Sequence, residues 1–134
     1  MTIQADIHVA LMARAEVMVA DLSITAIWPR FGGDIPAGEY VKIAHLPNEN
    51  RPLGFSDNIM LRQGFLVVTL VSSLGEYQSV TEERAGEIAA YFIRGWKLTA
   101  NTTVVTIVAH DVKQGSAQAE RWETPIFISY RSEA

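Results

Sequence analysis

Histidine is the side chain best suited to acid–base or metal chemistry near neutral pH. The chain has three, His8, His45 and His110, and no two stand three or four residues apart, the spacing that places two metal ligands on one helix face. Only His110 is directly followed by a carboxylate, Asp111, and an aspartate at that position is typical of the start of a turn. The histidines therefore predict neither a catalytic residue nor a metal site.

Three carboxylates, Glu82, Glu83 and Glu87, lie close together in a segment with helical periodicity. Paired acids can perform general acid–base catalysis. Acids near a helix start also interact favourably with the helix dipole, and we interpret these three as a solvated helix face. The serines form no nucleophile elbow and the glycines no phosphate-binding loop. The sequence thus predicts a protein that is not an enzyme and has no cofactor.

Composition limits the class of protein further. A chain of 134 residues, 49% of them hydrophobic, fits a single domain over residues 1–134 with a sizeable core. The absence of cysteine excludes disulfides, thiolate nucleophiles and cysteine-ligated zinc. A net charge of −4 argues against specific binding of nucleic acid. We see no signal peptide and no apolar run of about 20 residues, so we expect an intracellular protein without membrane spans.

Hydrophobic periodicity predicts the elements that position these residues. The first helix runs from its cap at Thr2 to about Met18. The second begins with a capping box of Ser79 and Glu82 and ends at Gly95. The predicted strands are residues 22–28, 39–46, 58–71, 104–109 and 121–130. The order α-β-β-β-α-β-β indicates an α+β fold, with two helices packed on a mostly antiparallel sheet of about five strands.

Two residues are expected to interrupt this sheet. Gly64 suggests a bulge in the central strand. Pro125 cannot donate to a strand ladder, which indicates an edge position or an irregularity. Between strands, residues 97–103 are expected to be a connection and residues 113–118 a polar hairpin tip.

Both faces of the predicted central strand are apolar. Leu66, Val68 and Leu70 alternate with Phe65, Val67 and Val71, whereas a sheet with helices on one side should alternate apolar and polar residues. Two helices can cover only one face. Sheet curvature, a loop or a neighbouring subunit must close the other, and our hypothesis favours the neighbour.

Residues for such an interface are suggested by type, since aromatic residues and arginine are enriched where proteins associate. The tryptophans could also form a stacking platform for nucleic acid, but basic residues do not alternate with them, which favours a packing role. The predicted interface residues, several of them on or beside loops, are Phe31, Arg51, Phe55, Arg62, Arg121 and Trp122.

Read end to end, the chain resembles a phage-related family associated with the tail terminator, or tail completion, proteins of long-tailed bacteriophages. The order and spacing of short apolar motifs carry the resemblance. They are Ile27-Trp28-Pro29 with Phe31, Tyr40-Val41 leading to Leu46-Pro47-Asn48, Arg62-Gln63-Gly64, Gly75, the helix over residues 85–92 and the closing strand over residues 125–130. Where relatives often have a second glycine beside Gly75, this chain has Glu76 and Tyr77.

The resemblance implies an α+β domain that assembles into a hexameric ring. Such a ring caps the tail tube, stops its polymerisation and offers a docking surface to the head connector, with no reaction and no cofactor. The implied partners are the protein itself, the tail tube protein and the head connector protein. The implied location is the virion tail, and the host cytoplasm during assembly.

Two alternatives remain open at the level of sequence. The first is another neck or head–tail joining protein, which sequence separates poorly from a terminator. The second, from a different class, is a small enzyme or ligand-binding domain with a pocket between helix and sheet near Tyr91, Trp96 or Trp122. A deep polar cavity holding a histidine or carboxylate with a shifted pKa would favour the enzyme.

Overall fold

Two helices and eight strands make up most of the chain described by the computed structural model, which covers residues 2–30, 33, 35–48, 51–52, 60–118 and 120–133. The helices are α1 (Ile3–Leu22) and α2 (Gln78–Ala89). The strands are β1 (Thr25–Ile27), β2 (Tyr40–Pro47), β3 (Arg51–Pro52), β4 (Met60–Ser73), β5 (Lys97–Ala100), β6 (Thr103–Val112), β7 (Ser116–Gln118) and β8 (Arg121–Glu133).

All eight strands belong to one sheet. Six follow one another in the order β1-β2-β4-β8-β6-β5, while β3 pairs with β4 and β7 with β8. The pairing of β1 with β2 is parallel and the other pairings are antiparallel. The long strands β4 and β8 run side by side through the centre of the sheet, from Leu61 opposite Glu133 to Ser73 opposite Arg121.

Both helices pack on one face of this sheet. α1 contacts β5 and β6, and α2 contacts β6 and β8. Between the helices and the sheet lies one apolar cluster that includes Leu11 of α1, Ile88 of α2, Leu66 of β4 and Ile128 of β8, all without solvent exposure. The prediction of an α+β fold with two helices on a mostly antiparallel sheet is therefore confirmed.

The predicted number and order of strands were wrong. The additional strands β3, β5 and β7 are two, four and three residues long. β7 has only exposed side chains and therefore carries none of the alternating hydrophobicity that marks a strand in sequence. β5 does alternate, with Leu98 buried between the exposed Lys97 and Thr99, but over four residues only. The segment expected to be a connection, residues 97–103, instead forms a hairpin with β6, and Asn101 turns it with a φ of 54°.

Helix α1 begins as predicted and extends further than predicted. The hydroxyl of Thr2 accepts a hydrogen bond from the Ala5 amide at 3.2 Å. Beyond Met18 the helix continues to Leu22, where Ser23 takes a left-handed conformation and ends it. Near the N-terminus, buried Asp6 accepts hydrogen bonds from Asn101 Nδ2 at 2.7 Å and Thr103 Oγ1 at 3.1 Å, which ties α1 to the β5–β6 hairpin.

The predicted capping of α2 was wrong at both ends. Tyr77 precedes the helix without a side-chain capping bond, and Ser79 lies inside the first turn. The helix ends at Ala89, well before Gly95. Gly95 does adopt a positive φ of 86°, but its amide donates to the Ile107 carbonyl at 2.7 Å and so leads into β5.

The predicted bulge at Gly64 was also wrong. The register of β4 runs through Gly64 without interruption, opposite Pro47 on one side and Tyr130 on the other. A Cβ at this position would lie 2.5 Å from the Leu46 carbonyl oxygen. Glycine is therefore needed here because the backbone of β2 lies so close to β4. The bulge of this sheet lies in β6, between Ile107 and Ala109.

Pro125 lies within the sheet, at an irregularity as expected and away from the edge. Pairing of β8 with β6 stops at Ile126, and pairing with β7 starts at Glu123. The Pro125 carbonyl accepts a hydrogen bond from the Lys113 amide. The nitrogen of Pro125, which has no proton to donate, faces the same side of β8, where the neighbouring strand changes from β6 to β7.

Candidate functional site

The two faces of the sheet differ in how they are covered. On the helix face, Leu66, Val68 and Leu70 of β4 are fully buried beneath α1 and α2. On the other face, cross-strand neighbours form rows that can be read from the register, and described residues cover these rows only in part. Sequence reasoning anticipated two apolar faces, and the structure shows where the second is closed and where it is open.

One end of the second face is closed by the chain itself. The Arg121 guanidinium lies 5.6 Å from the centre of the Tyr40 ring. It donates to the Ala37 carbonyl at 3.1 Å and to the Gly38 carbonyl, which holds the segment before β2 against the sheet. Beneath this cover Tyr40 and Val71 are buried. The segment before β2 therefore covers part of the surface that we expected a neighbouring subunit to cover.

The other end of the same face exposes large apolar side chains. We call it the open face and define it by Leu46, Phe65, Val104, Val108 and Phe127. The first four are 50%, 36%, 41% and 40% exposed. Phe65 and Phe127 meet edge to face with ring centres 5.5 Å apart. Apolar residues gathered on one surface are typical of a contact site between proteins.

Two cations border the open face. Lys97, Thr106, Arg131 and Gln63 are cross-strand neighbours in one row, from β5 across β6 and β8 to β4. A depression of about 280 Å³ is lined by Lys97, Val104, Thr106 and Arg131. Neither Lys97 nor Arg131 forms an ion pair with an acidic side chain that the structure describes. The open face therefore combines exposed apolar area with unpaired positive charge.

The predicted interface residues are scattered over the fold. Phe31 and Phe55 lie outside the described residues, and of Arg51 only the backbone, in β3, is described. Arg62 and Arg121 lie near opposite ends of the β4–β8 pair. The structure gives Arg121 the internal role described above, and the role of all six in association stays a prediction.

Arg62 and Trp122 are both half-buried. The Arg62 Nη1 atom is buried without a hydrogen-bond partner among the described residues. Trp122 lines a groove of about 360 Å³ between α2 and the ends of β6 and β8, together with Gln78, Glu82 and Gly115. No histidine lines this groove. The second apolar face was expected from the alternation in β4, with Phe65 on it, but none of the six predicted interface residues lies among the residues that define the open face, because residue type and loop position guided their choice.

Sequence reasoning also missed a contact between two histidines. His8 of α1 and His45 of β2 bring their Nδ1 atoms to 3.1 Å, and His45 Nε2 lies 2.6 Å from the Tyr130 hydroxyl. Burial, reinforced by the nearby His8, lowers the pKa of His45 to about 4. Burial raises the pKa of Tyr130 to about 12. At neutral pH this chain of hydrogen bonds is therefore uncharged at His45 and Tyr130, and it links α1 to the sheet.

These side chains do not form a metal site or an evident active site. Within the described ranges, no group of three or more histidine, aspartate or glutamate side chains is placed to hold a metal ion. Around Tyr91 and Trp96, where we considered a pocket, the Arg14 guanidinium lies 5.3 Å and 4.8 Å from the two ring centres. Neither α1 nor α2 combines the length and apolar character needed to cross a membrane.

Known proteins match this chain both in sequence family and in fold. A family model described as phage tail terminator protein matches residues 6–130. A solved structure that carries no descriptive name superposes with a TM-score of 0.78 and 19% identity, covering 96% of this chain and 94% of that chain. A chain from the virion of a native gene transfer agent particle superposes with a TM-score of 0.69 and 11% identity, covering 99% of this chain and 98% of that chain. At these identities the structures indicate a shared fold alone. No curated protein sequence matches significantly.

Proposed function

Because the chain belongs to the phage tail terminator family, we propose that it assembles into a homo-oligomeric ring, hexameric by resemblance, that caps the tail tube. The ring stops the addition of further tube subunits and presents a docking surface to the head connector. It assembles in the host cytoplasm and stays in the virion tail. The family is one of structural tail proteins, so this function consists of binding.

The open face is the observation that carries the proposal. Leu46, Phe65, Val104 and Val108 are each more than a third exposed on one end of one sheet face. Water contact with this apolar area is unfavourable by about 25 cal/mol for each Å² that a partner could cover. A neighbouring copy that covers the face removes this cost, which supports self-association. The likeness in fold to a chain of a gene transfer agent virion supports a place in a virion.

A ring requires contacts between different surfaces of successive copies. Such heterologous contacts close only when the rotation from one subunit to the next divides a full turn. A ring with the symmetry of the tube can then seat on the tube end and block further addition. The net charge of −4 is compatible with DNA passage, because strongly attractive walls would retain the duplex.

The alternatives are weaker. Another neck or head–tail joining protein would use the same kind of open face and would differ in the particle component that it binds. An enzyme or ligand-binding domain would need a site, and the groove beside Trp122 brings together Gln78, Thr81, Glu82 and Lys113 without a histidine. No observation in the described part of the chain favours catalysis over assembly.

The experiment combines particle size with tube capping. Multi-angle light scattering and negative-stain microscopy of the purified protein should give a ring of uniform size. Added to polymerising tail tube protein of the same phage, it should stop tube growth and appear at one tube end. Tubes that continue to lengthen in its presence, without a bound cap, would contradict the proposal.

A second arm separates the alternatives within the tail. The same protein is mixed with preformed tubes and, separately, with the head connector protein. A terminator binds tube ends before it binds the connector, whereas another joining protein binds the connector with no effect on tube length. A strictly monomeric protein that binds neither component would remove the assembly function altogether.

A further inference from the structure

We infer that the open face of one copy receives the outer stripe of helix α2 of the next copy, with opposite charges aligned across the contact. The inference rests on the proposed function, since it names the two surfaces that would build the ring. We define the α2 stripe by Tyr77, Val80, Glu83 and Glu87.

The two surfaces carry complementary charges. On the open face, Lys97 and Arg131 border the apolar residues and pair with no described acid. On the α2 stripe, Glu83 and Glu87 are exposed and form no ion pair with a described basic side chain. Two other basic residues nearby already have acidic partners within the chain. Lys113 pairs with Asp111 at 2.6 Å, and Arg84 pairs with Glu39 at 2.5 Å.

Both surfaces also have an apolar part beside the charged part. Tyr77 and Val80 are 83% and 46% exposed at the start of α2. Glu83 follows Val80 by about one helix turn and Glu87 by about two. On the open face, Phe65 lies one cross-strand row away from Arg131, and Val108 lines the same depression as these two residues. An antiparallel or parallel copy of the same surface would set like charges together, whereas the α2 stripe sets apolar on apolar and acid on base.

The dimensions of the two surfaces match. Val80 and Glu87 are seven residues apart on the helix, about 10 Å at 1.5 Å per residue. Adjacent rows on one sheet face are two residues apart along a strand, about 7 Å, and adjacent strands add about 4.8 Å sideways. One helix turn can thus rest on the apolar row while the next turn reaches the two cations.

The placement of the surfaces selects a ring over a dimer. Helix α2 packs on the helix face through Ala85 and Ile88, so its outer stripe points away from the sheet on that side. The open face points away on the opposite side. Contacts between two opposite sides of one molecule are heterologous, so they add copies in succession and form a ring when the rotation from one copy to the next closes.

The experiment reverses each set of charges separately. One variant carries Lys97→Glu and Arg131→Glu, and the other carries Glu83→Lys and Glu87→Lys. In each, like charges face each other across every contact, so we expect ring formation to weaken at least ~10-fold relative to wild type. In a 1:1 mixture every contact between unlike variants pairs opposite charges again, and alternating rings should form.

A matched control keeps the result specific. Glu16 and Glu120 are exposed acids outside both surfaces, and a Glu16→Lys, Glu120→Lys variant makes the same change in net charge as the α2 variant. It should form rings like wild type. Circular dichroism of every variant confirms that the fold is retained.

Three results would overturn the inference. They are rings that persist in both reversed variants, folded variants whose mixture stays monomeric, and a control that loses rings equally. In these cases a wild-type ring that still caps tubes leaves the proposed function standing. A wild type that forms no ring and caps no tube refutes the proposed function itself.

Discussion

The helix face and the open face of this sheet are built from neighbouring residues of the same strands, yet their environments differ. Leu66 is fully buried beneath α1, and Phe65, the preceding residue, is 36% exposed on the other side. Ile107 is 1% exposed, and Val108, the next residue, is 40% exposed. The hydrophobic content of a strand therefore does not reveal which of its two sides is buried within the monomer and which is exposed.

The difference separates two kinds of stabilisation. Burial on the helix face is complete in one copy and contributes to folding. The open face contributes little until something covers it, so its apolar residues make association favourable at small cost to the monomer. Substitutions on the helix face should therefore change the free energy of unfolding, and substitutions on the open face should change the strength of self-association.

The largest effect is expected from the buried side of β4. Leu66→Ala removes a fully buried side chain and leaves a cavity, which should lower the free energy of unfolding by about 2–5 kcal/mol. Phe65→Ala, one residue away on the open face, should lower it by less than about 1 kcal/mol. Urea denaturation of both variants measures the contrast. Equal losses would show that Phe65 belongs to the core.

The second effect concerns association. Val108 and Val112 lie on the same strand and are 40% and 38% exposed, but Val112 lines the groove beside α2. Val108→Asp should weaken self-association by about 1–2 kcal/mol, roughly tenfold, because it places a charge in the apolar contact. Val112→Asp should leave association near wild type. Sedimentation velocity over a concentration series compares them, and similar losses in both would argue against the open face as the contact.

The third effect is a dependence of stability on pH. The pKa of His45 is lowered from its ordinary 6.5 to about 4, chiefly by burial and then by His8. Between these values the unfolded chain binds a proton that the folded chain does not, so the free energy of unfolding falls as pH falls from 6.5 to 4. The whole shift would correspond to about 3 kcal/mol, and for a half-buried ring we expect about 1–2 kcal/mol.

A variant isolates this contribution. His45→Gln removes the titrating group, so its stability should change less with pH over the same window, as measured by urea titrations at several pH values. His110→Gln serves as the control, because His110 contacts the Phe92 carbonyl at a different place in the fold. An unchanged pH slope in the His45 variant would show that other groups carry the dependence.

The smallest effect concerns the closed end of the second face. Arg121→Ala removes hydrogen bonds to the Ala37 and Gly38 carbonyls and the contact with the Tyr40 ring. We expect a loss of about 1 kcal/mol and faster amide exchange in residues 37–42. Arg131→Ala, which removes an exposed cation without an acidic partner among the described side chains, should change stability by less than about 0.5 kcal/mol. Unchanged exchange in the Arg121 variant would show that the closed end is held by other contacts.

Local patterns in the sequence were enough to predict much of the fold. The alternation of Leu66, Val68 and Leu70 identified the central strand, and helical periodicity identified the second helix although not its ends. Thr2 was recognised as a cap because that interaction spans only three residues. Long strands and amphipathic helices are visible in sequence because their burial repeats at a fixed period.

The remaining features depend on contacts between distant residues. The short strand β5 is fixed by its backbone pairing with β6, and its four residues, with Leu98 alone buried among them, are too few to give a clear signal in sequence. His8 and His45 meet across 37 residues of sequence, which no spacing rule detects. The sequence predicted a second apolar face but not its extent, since Leu46, Phe65 and Val108 come from three strands whose neighbours are fixed only by the folded sheet.

The bulge in β6 has a consequence for how this domain could vary. From Ile107 to Ala109 the strand advances two residues while β8 advances one, so Val108 is one residue more than the ladder needs. Deleting it would restore regular pairing and leave Ile107 inward, Ala109 outward and His110 inward, as they are now. We therefore expect the fold to tolerate loss of this residue, which the sheet does not need for its pairing. Its side chain, 40% exposed, is available for contact with another molecule.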